Sequence, residues 1–449
     1  MPRASNPSLK KLASAPTNSP EAPPKPPEKP SPMAQASVAE SAKASGGALG
    51  PDEKTFAARL VHWQKSKGRH DFPWSTPDPY KVWISEIMLQ QTQAATVLPY
   101  FQRFMDALPD LKSLMNAPED DVLALWSGLG YYSRARNIWK SGQLIKSQMG
   151  GAFPASAAQI TELPGVGRST ANAIAAFCFG EATPIMDGNA QRGFCRLWGI
   201  STPVDSSAGK NELWGLAERL MPETDTAAYT QAVMDFGATL CKPKNPDCPL
   251  CPFQAECAAK ARGVVNQLPA KGKAKKAKPS RQERWLCLFW GDKALLKKNE
   301  AESGVWRGLL IFPGFEAARL AGAPEPAAHD GRSMVIEHEF SHYSLQASVD
   351  AMDWSPASAD EALELAEALE ARWEPVENLA RLPLPSPVTK ALQKLAPRAL
   401  AETLARDLSE AGESSAGSQA KKKKAIGSGR AGKQKDGAAK KPGRNNAAE

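Results

Sequence analysis

Four cysteines crowded into one short segment constrain this chain more than any other feature of its sequence. They follow a stretch, 229–240, that is predicted to be helical, and six, two and five residues separate them: Cys241, Cys248, Cys251 and Cys257. Structural zinc usually uses paired Cys-x-x-Cys knuckles, and only Cys248 and Cys251 have that spacing. Four thiolates in a compact loop also suit an iron-sulfur cluster, although the spacing is not that of ferredoxins. The segment therefore predicts a metal centre, with a cluster favoured over zinc and over unliganded thiols.

The net charge of +8 does not by itself indicate a nucleic-acid partner, because its distribution is uneven. Residues 419–449 contain ten Lys and Arg against two acids, so the rest of the chain is neutral overall. Any DNA-binding face would be a local patch. The sequence has no run of 18 apolar residues and no apolar N-terminal stretch, so we expect a soluble, intracellular protein that binds no membrane.

Composition and periodicity divide the 449 residues into two folded units and two tails. Residues 1–50 are rich in Pro, Ser, Ala and Lys and are predicted to be disordered; a transit peptide is the alternative, but no amphipathic arginine helix is present. Helical spacing predicts an all-α unit of nine or ten helices over 51–262. We expect a basic linker over 263–281, an α+β unit over 282–396, and a basic low-complexity tail over 397–449. In the α+β unit, short strands are predicted over 285–290 and 308–312, and the alternation over 343–349 predicts a half-buried strand.

A glycine turn between two predicted helices is a candidate contact for an anion. The run Leu-Pro-Gly-Val-Gly at 163–167 separates a helix that ends near Thr161 from one predicted over 168–177. Two glycines permit a tight turn and a close backbone approach, and the N–H groups that open the second helix suit a phosphate. Taken alone, this run predicts only a turn.

Two carboxylates lie in settings that favour different protonation states. Glu86 lies in an apolar helical stretch, 83–89, where desolvation would favour its protonated form, although a Glu on the solvent face of a helix is the ordinary alternative. Asp187 precedes a helix predicted over 189–197, so it can cap that helix and remain ionised among N–H dipoles. Such a pair suits cleavage of a bond to a sugar: one acid protonates the leaving group, and the other stabilises the cation.

These motifs resemble those of the endonuclease III superfamily of base-excision DNA glycosylases. The cysteine spacing is similar to the superfamily's 4Fe-4S loop, in which the cluster is structural, and the glycine turn is similar to its helix-hairpin-helix. WISEIMLQQTQ at 83–93 and MDGNAQR at 186–192 resemble the two catalytic motifs of the adenine glycosylases. PYKVW and GLGYYSRARN extend the likeness over most of residues 72–257. The resemblance implies an all-α helix-hairpin-helix domain with a 4Fe-4S cluster on the four cysteines.

The resemblance also assigns catalytic roles position by position. Glu86 would protonate adenine, Asp187 would stabilise the sugar cation, and Asn189 would orient the site. Related enzymes that also cut the strand have a lysine one residue after the arginine of the hairpin, and this chain has Ser169 there. This departure implies a monofunctional enzyme, which hydrolyses the N-glycosidic bond without a Schiff base.

Contacts to the opened duplex follow from the need to extrude a base before cutting it. Gln91 and Thr92 can hydrogen-bond to the base that is left behind, and Tyr131, in a glycine-flanked turn, can wedge into the stack. For Tyr131 and its neighbour Tyr132, a place in the hydrophobic core is the alternative. By resemblance, Gln91, Thr92 and Tyr131 contact the opposite base, and the hairpin adds contacts to the DNA: Gly165, Gly167 and Ser169.

The second unit resembles the lesion-reading domain of the adenine glycosylases, which is similar to Nudix folds. GVWRG at 304–308 and FPGF at 312–315 carry the likeness, whereas 316–330 lacks the clustered Arg-Glu-x-x-Glu-Glu set of a Nudix hydrolase. A recognition module without hydrolase activity is therefore implied. Between two predicted strands, a turn resembles the Phe-Ser-His loop that senses 8-oxoguanine: Phe340, Ser341 and His342. A surface histidine is the ordinary alternative.

The prediction is a monofunctional DNA glycosylase of base excision repair, which flips out and removes adenine mispaired with 8-oxoguanine or guanine in duplex DNA. We expect a monomer in the cytoplasm, associated with the nucleoid and without organellar targeting. Two alternatives remain: a lyase of the same fold that acts on thymine or pyrimidine lesions, which Ser169 and the second unit disfavour, and a catalytically inactive lesion binder.

Overall fold

The computed structural model describes residues 50–272, 278–300, 306–325, 332–340, 343–377, 382–398 and 400–401. Helices occupy the first part of these ranges and a sheet with helices the second, which confirms the predicted order of an all-α unit and an α+β unit. Nearly all of the predicted extension and tail lies outside the described residues. None of the helices in the described ranges is both long and apolar enough to cross a membrane.

The helical unit contains more helices than the nine or ten predicted. Within the described residues there are twelve: α1 (Glu53–Lys67), α2 (Pro79–Leu89), α3 (Ala94–Ala107), α4 (Leu111–Asn116), α5 (Glu119–Leu125), α6 (Ser133–Gln148), α7 (Ala157–Thr161), α8 (Arg168–Phe179), α9 (Gly188–Trp198), α10 (Ser207–Leu220), α11 (Thr226–Asp235) and α12 (Ala258–Ala261). Four of them, α4, α5, α7 and α12, have four to seven residues, too few to show a clear helical period. The stretch 229–240, predicted as one helix, is α11 followed by a π-helical turn, Phe236–Leu240.

Helix α2 has clear local reasons to start and stop where it does. The Asp78 side chain accepts the N–H of Tyr80 at 3.0 Å, and Pro79 occupies the first helical position, where its missing N–H costs nothing. The helix ends at Leu89, before Gln91 takes a left-handed backbone angle (φ 58°). The segment that holds Glu86 is therefore a short, well-bounded helix.

The helical unit packs around two hydrophobic clusters. Trp83, Phe104 and Trp126 are fully buried in the first, while Phe56 and Phe253 are fully buried in the second. The ring of Phe177, on α8, packs against both clusters. These two clusters are the lobes of the helical unit, with α8 between them.

The second unit is a mixed six-stranded sheet with helices. Its elements are β1 (Ser280–Trp290), β2 (Lys293–Lys298), β3 (Leu310–Ile311), α13 (Phe315–Leu320), β4 (Arg332–Glu339), β5 (Ser344–Asp353), α14 (Ala359–Ala368), β6 (Ala371–Pro375) and α15 (Ser386–Leu395). The strand order is β3-β2-β1-β5-β4, with β6 also paired to β2, and β1 runs parallel to β5. Alternate residues of β5 are buried, as the sequence predicted.

The strand predicted over 308–312 is mostly loop, because only Leu310 and Ile311 pair with β2. Trp306 and Gly308 have left-handed backbone angles (φ 64° and 73°), which break a strand. Leu309 turns instead towards the helical unit and is fully buried in its first cluster. The two units thus share apolar contacts.

Candidate active site

A cavity of about 440 Å³ opens between the two lobes of the helical unit. Helix α2 supplies Val82, Ser85, Glu86 and Leu89, and α8 supplies Phe177. Residues after α1 and residues of α11 complete the wall, namely Arg69, His70, Phe72, Trp74, Ser75, Thr76, Pro77, Ala227, Ala228, Gln231 and Met234, together with Gln64 and Ala94. The cavity is large enough for a flat heterocyclic base.

Glu86 lies in the wall of this cavity, half-buried on α2. Burial, and to a smaller extent the negative charge of Asp187, raises the pKa of its carboxyl to about 8. At neutral pH the carboxyl is therefore mostly protonated and can donate a proton to a base in the cavity. This setting agrees with the sequence-based expectation for the apolar stretch.

Asp187 is the N-cap of α9. Its Oδ1 accepts the N–H of Ala190 at 2.8 Å, so the predicted capping role is present. The preceding residue is also fixed, because the N–H of Met186 donates to Ser169 Oγ at 2.9 Å. Ser169 thus holds the backbone beside Asp187. The two carboxylates interact electrostatically across the site. Glu86 can therefore supply a proton while Asp187 supplies a stabilising negative charge.

Asn189 is held on the first turn of α9. Arg192 Nη2 donates to its Oδ1 at 2.8 Å, and the same guanidinium donates to the carbonyls of Gly237 and Cys241. A Cβ on Gly237 would lie 2.5 Å from the Cβ of Asn189, so only glycine fits there. The amide is fixed by both contacts, which suits an orienting group.

Sequence reasoning missed a polar network behind the cavity wall. Asp235 is completely buried at the end of α11, and its carboxylate accepts from Arg69, Gln64 and Gln231. The closest ion-pair distance, from Arg69 Nη2, is 2.7 Å. Three of these side chains also line the cavity, so the network fixes polar groups at its edge. The signal that could have indicated it is an acid among the apolar residues of a predicted helix.

Three residues predicted to contact the opened duplex lie on two neighbouring turns. Gln91 is exposed, Thr92 is half-buried, and the Tyr131 side chain is 54% exposed. Buried Arg134 joins the turns: it donates to the carbonyls of Gln90 (2.9 Å) and Gly130 (3.1 Å). It also donates to the carbonyls of residues 87 and 88 at the end of α2. One side chain therefore fixes both exposed turns relative to Glu86's helix.

The glycine turn before α8 has the shape that its sequence predicted. Gly165 has φ 78°, and a Cβ there would lie 2.4 Å from Asn137 Nδ2, so glycine is required both for the angle and for the space. Gly167 is the N-cap of α8 and has no capping side chain. Both glycines are exposed, and no side chain caps the first N–H groups of this 12-residue helix, which suits an anion there.

All four cysteines of the loop line one small cavity beside α9 and the π-helical turn. They are free thiols, and Arg196 of α9 donates to the sulfur of Cys241 at 3.5 Å. Within the described residues, no group of three or more His, Cys, Asp or Glu side chains is placed to hold a metal ion.

In the second unit, Phe340 follows β4 and is buried rather than displayed. Its ring contacts Trp306, His338 and Tyr343, with centroid distances of 5.1, 4.5 and 4.7 Å. Ser341 and His342 lie outside the described residues. Phe340 thus anchors the start of the predicted lesion-sensing loop in an aromatic cluster.

Comparison with known families agrees with this architecture. Residues 84–219 match the HhH-GPD superfamily of base excision DNA repair proteins, and residues 284–394 match the NUDIX domain. The first match covers both α2 and α9, which hold Glu86 and Asp187. Fold and site together define a base excision repair glycosylase whose helical domain precedes a Nudix-like domain.

Similar proteins narrow the class further. The chain is 38% identical to the adenine DNA glycosylase of Buchnera aphidicola (strain APS) over 296 residues, which is 65% of this chain and 84% of that protein. It is also 38% identical to the human adenine DNA glycosylase, over 66% of each chain. The chain belongs to the adenine DNA glycosylase family. A solved structure described as a thermostable thymine-DNA glycosylase aligns with 47% of this chain and 97% of its own, at 28% identity and a TM-score of 0.44.

The family, the fold class and the enzyme class predicted from the sequence are therefore confirmed. The roles of individual residues, the base paired with adenine, the domain boundaries and the monomeric state stay predictions.

Proposed function

We propose that this adenine DNA glycosylase removes adenine by hydrolysis, with Glu86 as general acid and Asp187 as the charge that stabilises the sugar. The observation that supports it is the contrast between the two carboxylates: burial holds Glu86 protonated, while Asp187 accepts an N–H at a helix N-terminus.

The steps follow from these protonation states. Glu86 donates its proton to a ring nitrogen of the flipped adenine, and the glycosidic bond breaks with its electron pair on the base. Asp187 stabilises the resulting oxocarbenium-like cation, and Asn189 orients the site. Water adds to the cation and releases a proton, which restores the acid form of Glu86.

The enzyme is monofunctional in this proposal. A lyase needs an amine that attacks the sugar, whereas the hairpin position holds Ser169, whose hydroxyl is engaged by Met186 N–H. No lysine is among the described residues that line the cavity. Arg69 cannot replace it, because a guanidinium is not a nucleophilic amine and this one is paired with Asp235.

The DNA is held, we propose, by three exposed features of the helical unit. The hairpin, with Gly165, Gly167 and Ser169, binds a phosphate at the N-terminus of α8. Gln91 and Thr92 contact the base opposite adenine, and Tyr131 inserts into the stack beside it. The exposure of the two glycines, Gln91 and Tyr131 supports this assignment, as does the fixed geometry that Arg134 provides.

Replacing Gly165 by Ala tests the hairpin. A Cβ at a φ of 78°, 2.4 Å from Asn137 Nδ2, forces the turn to shift and moves the N–H groups away from the phosphate. We expect duplex affinity to fall by about ten-fold, the effect of one charge-assisted hydrogen bond. Gly150→Ala, at a positive φ with open space, is the matched control. Equal affinities of the two variants would contradict the assignment.

The base paired with adenine is, we propose, 8-oxoguanine or guanine in duplex DNA, read by the Nudix-like domain. Phe340, the first residue of the predicted lesion-sensing segment with Ser341 and His342, is anchored among Trp306, His338 and Tyr343. A buried aromatic anchor at the loop's start supports a contact role for the residues after it.

We also propose that the four cysteines hold a 4Fe-4S cluster. The donor set fits: the four cysteines line one cavity, none of them is in a disulfide bond, and Arg196 places a positive charge against Cys241. When bound, the cluster would supply structural cross-linking of the loop, without a role in the reaction. Arg192 and Arg196 hold the loop's first carbonyls against α9.

Release of free adenine from three duplexes tests the proposed function. With iron-replete, full-length protein under single-turnover conditions, we expect the rate to decrease in the order 8-oxoguanine, guanine, cytosine opposite adenine. Borohydride is expected to trap no adduct, and iron analysis to give about four atoms per chain. Equal rates opposite all three bases would refute lesion reading, and a strong adduct would support the lyase. Binding without adenine release would support the inactive lesion binder.

A further inference from the structure

Two adjacent tyrosines in the turn after α5 have opposite environments. The side chain of Tyr131 is 54% exposed, whereas Tyr132 is only 5% exposed. The Tyr132 hydroxyl accepts the N–H of Gly128 at 3.2 Å and donates to the backbone carbonyl of Leu384, in the Nudix-like domain. From the sequence, a place in the hydrophobic core was an alternative for both tyrosines, but only Tyr132 is buried there.

The Leu384 carbonyl is a fixed point of the second domain. Leu384 is fully buried, and the neighbouring carbonyl of Pro383 accepts the N–H of Leu310 in β3 at 3.0 Å. Ser127 Oγ donates to the same Leu384 carbonyl at 3.2 Å. Two side chains that flank the turn therefore bond to one atom whose position the sheet sets.

The turn itself needs an external constraint. Gly128, Gly130 and Tyr131 all have left-handed backbone angles, with φ 94°, 76° and 50°. The angle at Tyr131 is uncommon for a residue with a side chain, and such conformations persist where the surroundings hold them. Arg134 holds the turn from the helical side. Tyr132 holds it from the side of the second domain.

A second contact connects the helical unit to Phe340, the first residue of the predicted lesion-sensing segment. Trp306 packs against the first cluster of the helical unit and against the core of the sheet. Its ring also contacts Phe340 at 5.1 Å. Phe340, Trp306 and Leu384 belong to one hydrophobic cluster of the second domain, and the Leu384 carbonyl accepts the hydrogen bond from Tyr132, next to Tyr131.

We infer that Tyr132 is a positioning residue, through whose hydroxyl the Nudix-like domain sets the turn that presents Tyr131 to DNA. The inference rests on the proposed function and deepens it, because it states how a domain that reads the opposite base acts on base removal. When that domain binds 8-oxoguanine, the hydrogen bond to Leu384 carries its position to Tyr131. When guanine is the base opposite adenine, the Nudix-like domain binds that base more weakly, and the hydrogen bond to Leu384 has a smaller effect on the rate of adenine release.

Tyr132→Phe removes the hydroxyl and keeps the ring, so it tests the inference with little change in packing. We expect the single-turnover rate of adenine release opposite 8-oxoguanine to fall about five-fold, the effect of one hydrogen bond. The rate opposite guanine should change less than two-fold, so that the preference between the two substrates falls. Ser127→Ala in the Tyr132→Phe background should lower that preference further.

Tyr80→Phe is the matched control. The Tyr80 hydroxyl is equally buried and donates to the carbonyl of Leu108 at 2.8 Å, but both residues belong to the helical unit. Its melting temperature should fall about as much as that of Tyr132→Phe, with the substrate preference unchanged. The inference is overturned if Tyr132→Phe keeps the wild-type preference, or if Tyr80→Phe lowers it equally.

A second readout separates this inference from the proposed function. Fluorescence of 2-aminopurine, placed beside the base opposite adenine, reports insertion into the stack for any opposite base. If the wild-type enzyme shows no preference for 8-oxoguanine, lesion reading fails, and the fluorescence decides the inference alone. A reduced insertion signal for Tyr132→Phe, and not for Tyr80→Phe, supports the positioning role; equal signals refute it.

Discussion

Replacing Glu86 by Gln is expected to lower the single-turnover rate of adenine release by about 10²- to 10⁴-fold, the usual effect of losing a general acid. Gln keeps the shape and can still hydrogen-bond, but it has no proton to transfer. Duplex affinity should stay within about three-fold, because Glu86 lies in the cavity wall and not on the exposed turns. Normal adenine release by the variant would remove Glu86 from the mechanism.

The pH dependence gives an independent check on the same residue. Because the pKa of Glu86 is raised to about 8, the wild-type rate should be flat at neutral pH and fall about ten-fold per unit well above pH 8. The residual rate of Glu86→Gln should lack this decline. Glu212→Gln, at an exposed position on α10, is the control and should keep the wild-type profile.

Glu86→Gln should be more stable than the wild type at pH 8, although it is less active. The folded state holds the Glu86 proton more tightly than the unfolded chain, so the folded protein loses stability as pH rises from about 4.5 to about 8. Glu86→Gln carries no ionisable group and escapes this loss. Its melting temperature should exceed that of the wild type at pH 8 and not at pH 4.5, which thermal unfolding at the two pH values measures.

Asp187→Asn is the second change with a large expected effect, about 10²- to 10³-fold on the rate of adenine release. Asn caps a helix about as well as Asp, so the bond to Ala190 N–H and the start of α9 should persist. The variant loses only the charge that stabilises the sugar cation. Melting temperature and duplex affinity should therefore stay close to wild type while the rate falls.

Two further variants show which property of Asp187 matters. Asp187→Ala loses the cap as well as the charge, which costs about 1 kcal/mol of folding stability in addition to the rate. Asp110→Asn is the control for Asp187→Asn. It makes the same change at another Asp N-cap, which accepts the N–H of Ser113 at 2.8 Å. It should change neither the folding stability nor the rate of adenine release. If Asp187→Asn releases adenine at the wild-type rate, capping is the whole role of Asp187.

The sequence predicted those parts of the site that depend on local pattern. The apolar run around Glu86 indicated both a helix and a raised pKa, and the position of Asp187 before a helix indicated the cap. Each property depends on neighbours within a few residues along the chain. The glycines of the hairpin are another such case, since a left-handed turn selects glycine directly.

Contacts between distant segments could not be read in the same way. Arg69 and Asp235 are 166 residues apart, and no local spacing indicates that they pair. The different environments of Tyr131 and Tyr132 depend on Leu384, more than 250 residues away. The strand predicted over 308–312 failed for the same reason, because docking of Leu309 onto the helical unit decides its conformation. Tertiary packing overrides β-propensity there.

The bond from Met186 N–H to Ser169 Oγ also bears on how this fold can change its chemistry in evolution. A lysine at position 169 would supply an amine for attack on the sugar, but it would also remove the hydroxyl that now accepts the Met186 N–H. Met186 directly precedes Asp187, so the same replacement would loosen the backbone that places this carboxylate. Position 169 therefore bears both on strand cutting and on the backbone beside Asp187, and we expect a lineage that acquires a lysine there to change residues near Met186 as well.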